Sequence, residues 1–200
     1  YGAYDWAFLE RAGLQGNVNT IVLARDLKEE PHMAEWLRRG RQVIQEEGIP
    51  DRGNPTEQSA YACWSTTPGL TVRERSGMII DEFHPGVAAG FPVWTRALTR
   101  VMTEHPDRVF YSYLAGPPVG VSPILNPLLE QGGRFAYEAY LAEEPTEQEA
   151  ERSLRTKLEQ EIVGPLARAY PGAQKSTVMA LGIFSSPPLT LDRNPGADFK

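Results

Sequence analysis

Cysteine is almost absent from this sequence, since Cys63 is the only one in 200 residues. A lone cysteine cannot form an internal disulfide, and without a second cysteine nearby it cannot complete a cysteine-based metal site. Long apolar runs are also absent, whereas a transmembrane helix needs about 20 consecutive, mostly apolar residues. The sequence therefore predicts no disulfide framework and no membrane partner, and it leaves the cellular compartment open.

Positive charge is scarce as well. The chain has 20 Lys and Arg against 26 Asp and Glu, which gives a formal net charge of −6 and a pI near 5.2. Nucleic-acid binding needs a surplus of Lys and Arg gathered on one face, so no nucleic-acid partner is predicted. Hydrophobic residues make up 41% of the chain, enough for one sizeable core, and we expect a soluble globular protein.

The sequence has three histidines, His32, His84 and His105, and none stands in an H-x-H or H-E-x-x-H spacing. No G-x-S-x-G elbow surrounds a serine, so serine-hydrolase chemistry is not indicated. We therefore predict no cofactor and no metal. A divalent-metal site formed by His84 with Asp81 or Glu82 stays open as an alternative.

Apolar, β-branched runs alternate along the chain with segments of helical period. Helices are predicted at 4–12, from Pro31 to Gly40, from Thr56 to Trp64, at 93–105, at 122–131, and from 146 to about 170 with a break at Gly164-Pro165. The predicted strands cover residues 18–24, 41–46, 77–83, 107–114, 134–141 and 176–184.

This alternation predicts an α/β protein with right-handed βαβ units and a parallel sheet. A doubly wound sheet would usually carry a Gly-rich phosphate loop after its first strand, and Ala24-Arg25-Asp26-Leu27 is not one. A (β/α)8 TIM-type barrel instead places polar residues at the carboxyl ends of several strands. Because a full barrel needs about 250 residues, we predict one domain over residues 1–200, a partial barrel with about six strands that is truncated at the C-terminus.

Carboxylates stand near several predicted strand ends. Asp81 and Glu82 interrupt an apolar strand, and Glu138 lies in the strand at 134–141. Burying an ionised carboxylate costs several kcal/mol unless it is paired, so such acids need a partner or a function. Paired carboxylates catalyse glycoside hydrolysis, one as general acid and the other as nucleophile or base. The alternative is structural ion pairing, with Arg73 or Arg75 for the first two acids and with Arg134 for Glu138.

Other polar and aromatic residues near the same strand ends are predicted to bind a ligand. Sugar rings have apolar C–H faces that stack on aromatic rings, while their hydroxyls need polar partners. The alternative for each aromatic residue is that its ring only packs in the apolar core. The predicted ligand-binding residues are Asp26, Glu46, Trp64, His84, Tyr111, Tyr113 and Tyr140.

The motifs N-T-I-V-L at 19–23, G-M-I-I-D-E-F at 77–83 and F-A-Y-E-A-Y-L at 135–141 resemble those of glycoside-hydrolase-like TIM barrels, and in particular uncharacterised bacterial barrel proteins with an I-I-D-E-F strand. The resemblance implies a hydrolase that acts on carbohydrate. Many retaining barrel hydrolases place the acid/base after the fourth strand and the nucleophile after the seventh. Here the Asp81-Glu82 pair follows the third predicted strand.

We therefore predict a glycoside hydrolase, with Glu82 as general acid/base, Asp81 as its partner and Glu138 as the second carboxylate. Two other functions remain open. One is a non-catalytic glycan-binding barrel, in which the same acids only hydrogen-bond hydroxyls, and the other is a metal-dependent barrel enzyme.

Overall fold

The computed structural model describes residues 18–23, 31–114, 118–141 and 144–183. The helix predicted at 4–12 and the predicted ligand-binding residue Asp26 lie outside these ranges. The strands are β1 (Thr20–Leu23), β2 (Gln42–Glu47), β3 (Gly77–Phe83), β4 (Val109–Leu114), β5 (Arg134–Leu141) and β6 (Thr177–Ile183).

Helices connect these strands. The α-helices are α1 (Pro31–Arg38), α2 (Glu57–Ser65), α3 (Pro68–Thr71), α4 (Phe91–Glu104), α5 (Ser122–Glu130), α6 (Glu147–Thr156) and α7 (Gly164–Ala169). Short 3-10 helices cover Pro85–Gly90, Pro118–Val121 and Ala173–Ser176, and a π-helix covers Lys157–Val163. None of the helices in the described ranges is long and apolar enough to span a membrane.

The six strands form one parallel sheet in the order β1-β2-β3-β4-β5-β6. The sheet curls through 196° and makes a half-barrel. A doubly wound fold needs a reversal in the strand order, and the described strands have none. The predicted α/β architecture with six parallel strands, consistent with a partial TIM-like barrel, is confirmed.

The connecting helices lie on one side of the sheet, because right-handed crossovers between successive parallel strands all pass over the same face. We call this the convex face and the opposite side the concave face. The main apolar core lies between the convex face and the helices. Its largest fully buried side chains include Trp64, Phe83, Phe91, Trp94 and Phe135.

Local sequence signals explain where two of the helices begin and change. Thr56 caps α2 in a capping box, in which its hydroxyl accepts from the Ser59 N–H and the Ser59 hydroxyl accepts from the Thr56 N–H. The break predicted at Gly164-Pro165 is instead absorbed by the π-helix, where the Gly164 N–H donates to the Glu159 carbonyl. Pro165 stands near the start of α7, where its missing N–H costs least.

Candidate functional site

The concave face carries an apolar layer that no described helix covers. Four buried residues from four consecutive strands form it. The partly buried side chains of Val109 and Tyr113 pack against this layer. Successive strand residues point to opposite faces, so residues two apart share a face. The layer consists of Ile44 on β2, Ile79 on β3, Tyr111 on β4 and Ala136 on β5.

Two positions further along these strands, towards the carboxyl ends, three strands carry an acidic residue and β4 carries a second tyrosine. Because each of these residues follows a member of the apolar layer by two, all of them belong to the concave face. In a barrel such sets from neighbouring strands form a layer of inward-facing side chains. We call the set the acidic row, and it consists of Glu46 on β2, Asp81 on β3, Tyr113 on β4 and Glu138 on β5.

Electrostatics indicate independently that these groups lie together. Partial burial raises the pKa of Glu46, and the negative charges of Asp81 and Glu138, followed by that of Glu47, raise it further. Burial also raises the pKa of the Tyr113 phenol, with Glu46, Glu138 and Asp81 adding to the effect. Each of these two groups therefore interacts with the charges of the other strands in the row.

The acidic row has both a proton donor and charged partners. Like charges that share a site cannot all ionise easily, so the group with the raised pKa keeps its proton to higher pH. Glu46 has that property here, whereas Asp81 and Glu138 supply negative charge. The row can therefore provide a carboxylic acid and a carboxylate at the same edge of the sheet, which is the combination that acid–base hydrolysis needs.

Tyr111 lies one layer below the acidic row and is 8% exposed. Its hydroxyl accepts a hydrogen bond of 3.2 Å from Arg134 Nη1, and the Arg134 guanidinium lies 5.9 Å from the ring centroid. Tyr111 therefore contributes to the floor of the concave face and has little ring surface left for a ligand. Tyr113 is more exposed and lies in the acidic row, so it is the better placed of the two to contact one.

Glu82 occupies a β-bulge near the end of β3. The pairing of β3 with β4 shifts between Ile80 and Phe83, and Glu82 has a φ of 54°, in the left-handed region. Asp81 and Glu138 are among the charges that raise the pKa of both Glu46 and Tyr113, and Glu82 is not among them. Asp81 and Glu138 thus lie near Glu46, whereas Glu82 lies in the bulge.

His84 caps the 3-10 helix that follows β3. Its Nδ1 accepts a hydrogen bond of 3.1 Å from the Gly86 N–H, so this ring nitrogen already has a structural partner. Among the described residues, no three His, Cys, Asp or Glu side chains are grouped so that they can hold a metal ion. The metal alternative with His84 therefore has no support from the part of the chain that the structure describes.

The ring of Trp64 does not belong to the site. It is 0% exposed in the core on the convex side, and its Nε1 donates to the Gly48 carbonyl at 3.2 Å. It cannot stack on a ligand, and the ligand-binding prediction for this residue is wrong because its helix presents this ring to the sheet. Tyr140 lies in β5 opposite Gly182, and only its backbone is described.

The alternative ion pairs of Asp81 with Arg73 or Arg75 are excluded by distance along the strand. Both arginines precede the amino end of β3, and the six residues from Arg75 to Asp81 correspond to about 20 Å of extended chain. Arg75 is buried at the amino end, where its backbone carbonyl accepts a hydrogen bond from Arg108. Arg73 and Arg75 therefore do not account for the position of Asp81.

The sequence predicts all four residues of the acidic row as site residues near strand ends, but it predicts only a binding role for Glu46. The signal for a larger role was its position near the end of β2, on the same face as Ile44. Comparisons of the chain with protein-family models, with curated proteins and with solved structures found no match. What can be said of the family is therefore that the chain is an α/β protein with a curled, six-stranded parallel sheet.

Proposed function

We propose that the protein is a glycoside hydrolase whose reaction takes place at the acidic row on the concave face. The observation that carries this proposal is the set of three carboxylates, Glu46, Asp81 and Glu138, supplied by different strands near their carboxyl ends. This is the end of the sheet at which barrel enzymes bind their substrates. Carbohydrate is the proposed partner, and no cofactor is needed for the reaction.

In this proposal Glu46 is the general acid. Its raised pKa keeps the carboxyl protonated at a pH at which an ordinary glutamate has lost its proton. It donates that proton to the glycosidic oxygen as the bond to the anomeric carbon breaks. The Tyr113 hydroxyl, which also keeps its proton, donates a hydrogen bond to a sugar hydroxyl, and its ring gives the sugar an apolar surface.

The second carboxylate is either Asp81 or Glu138, and the distance of each candidate from Glu46 distinguishes between them. Neighbouring strands lie about 4.8 Å apart, so β2 and β3 are one spacing apart and β2 and β5 are three. Retaining enzymes have their two carboxyl groups about 5 to 5.5 Å apart, and inverting enzymes about 6.5 to 9.5 Å. Glu46 pairs with Ile79, so Asp81 lies one strand away and two residues further along, about 8 Å from Glu46 along the sheet. The pair Glu46 and Asp81 therefore fits inversion better, with Asp81 as the base that activates water. Glu138, three spacings or about 14 Å away along the sheet, is better placed to hydrogen-bond the substrate.

The test is hydrolysis of a panel of aryl glycosides and oligosaccharides by the parent protein and by Glu46→Gln, Asp81→Asn and Glu138→Gln. Each variant should lose most of the activity. Glu74→Gln is the matched control, since Glu74 is exposed and lies just before the amino end of β3. Proton NMR of the first product anomer then distinguishes retention from inversion.

Two results would overturn this function. If the parent protein binds oligosaccharides in calorimetry but hydrolyses none of the panel, the concave face is a glycan-binding surface and not an active site. If the parent protein hydrolyses glycosides and all three variants remain as active as Glu74→Gln, the reaction takes place elsewhere on the molecule.

A further inference from the structure

Only two residues other than glycine have a left-handed backbone among those the structure describes, Asp51 at φ 50° and Glu82 at φ 54°. Asp51 lies in an exposed turn, where aspartate commonly adopts this conformation. Glu82 lies inside β3, and a long side chain without a local hydrogen bond to offer has no such preference. Such a conformation persists only where the surrounding structure imposes it.

The two residues that flank Glu82 show what imposes its left-handed backbone. In a regular strand Asp81 and Phe83, two residues apart, would point to the same face. Instead Asp81 follows Ile79 on the concave face, whereas Phe83 is 0% exposed in the core on the convex side. The Phe83 ring lies 6.0 Å from the Phe91 ring and 6.0 Å from the Trp94 ring. The extra residue of the bulge is what allows both placements.

We infer that Glu82 is a positioning residue: its left-handed backbone, and not its carboxylate, holds the Asp81 carboxylate in the acidic row while Phe83 anchors the strand in the opposite core. Bulges next to functional sites commonly re-aim a side chain in this way. The inference rests on the proposed function for its effect on catalysis, but the placement of Asp81 can be measured without any activity.

The substitutions at position 82 separate backbone from charge. Glycine and asparagine tolerate a left-handed φ, whereas the β-branched valine and threonine tolerate it less well than glutamate does. Glu82→Gln removes the charge and keeps the length of the side chain. We expect Glu82→Gly, Glu82→Asn and Glu82→Gln to keep most of the hydrolytic activity, and Glu82→Val to lose about 100-fold, as expected when a catalytic group moves by about 1 Å.

The second measurement is an NMR titration of the Glu46 carboxyl, assigned with the Glu46→Gln variant. Asp81 is the largest charge that raises the pKa of Glu46, so Asp81→Asn lowers this pKa and calibrates the experiment. Glu82→Val should lower it in the same direction, because the Asp81 carboxylate leaves the row. Glu82→Gly and Glu82→Asn should titrate as the parent does. If the valine variant does not fold, Glu82→Thr takes its place and should give a change of the same sign, because threonine is also β-branched.

The outcomes for the two proposals are distinct. A parent protein that hydrolyses no glycoside overturns the proposed function, whereas the titration still decides on the positioning of Asp81. The positioning role is overturned if Glu82→Val, or Glu82→Thr in its place, titrates like the parent at Glu46. It is also overturned if Glu82→Gln loses as much activity as Glu82→Val, because the carboxylate itself would then be required.

Discussion

The two faces of the sheet differ in what their side chains do, although the same strands supply both. On the convex face Met78, Ile80 and Phe135 are buried against the helices at 0% exposure. On the concave face the same stretch of β3 continues from Ile79 to Asp81, which lies with Glu46 and Glu138. Alternation along a strand thus allows one seven-residue segment to stabilise the fold and to supply a charged group. Substitutions on the two faces should separate activity from stability.

The largest effect is expected on the concave face. Asp81→Asn should lower kcat about 10²- to 10⁴-fold, the usual contribution of a positioned carboxylate. The free energy of unfolding should stay equal or rise, because the change removes one of several like charges that disfavour each other. Steady-state kinetics and urea unfolding at one pH measure both. A large drop in stability would show that Asp81 holds the fold together, against the division between the faces.

The counterpart on the convex face is Trp64→Ala, which should cost about 3 to 5 kcal/mol of unfolding free energy, as expected when a large aromatic side chain leaves a core. The indole also donates to the Gly48 carbonyl at 3.2 Å, and that bond is lost. Urea unfolding followed by circular dichroism measures the change. Trp64→Phe is the control, and it should lose less. The fraction that remains folded should keep the parental kcat.

A smaller effect on the same side comes from the cap of α2. Thr56→Ala removes the hydroxyl that accepts from the Ser59 N–H, and it should cost about 1 kcal/mol of unfolding free energy. Thermal unfolding measures it, with Thr56→Ser as the control that keeps the cap. Equal midpoints for the alanine and serine variants would show that the capping box contributes nothing to the fold.

The smallest effect is the pH dependence of stability that Glu46 causes. Burial first, and then the charges of Asp81 and Glu138, raise its pKa above the ordinary value of 4.5. Folding therefore favours the protonated form, and this stabilisation is complete below pH 4.5 and is lost as the pH rises through the folded-state pKa. Glu46→Gln has no carboxyl group to ionise, so its stability does not fall in this way as the pH rises. Relative to the parent, this variant should gain stability across that window, as urea unfolding at several pH values would show, whereas Glu74→Gln should not.

The strands were predictable because buried parallel strands read as continuous apolar runs bounded by turn residues. The strands at 77–83 and 134–141 have the predicted bounds, and the strand predicted at 41–46 is confirmed with a shift of one residue. Gly40 separates this strand from the preceding helix, since it adopts a φ of 71°, which a helix interior does not allow.

The grouping of the site was less predictable. Which acids lie together depends on the stagger between neighbouring strands. That stagger brings Glu46 on β2 into one row with Glu138 on β5. The periodicity within a single strand does not reveal the stagger between strands. The bulge at Glu82 could not be predicted from the two-residue period of a strand either, because that period would place Asp81 and Phe83 on the same face. The helix that carries Trp64 was predicted correctly, but the side of that helix that packs against the sheet was not.

The order β1-β2-β3-β4-β5-β6 also bears on how the chain reaches this state. Each described strand from β2 to β6 pairs with the described strand that precedes it in sequence, so each of these pairings closes a loop no longer than a single crossover. Contacts between residues near in sequence favour fast folding, and synthesis presents the amino-terminal units first. We therefore expect the chain to assemble vectorially on the ribosome, with each β/α unit templated by the one already docked.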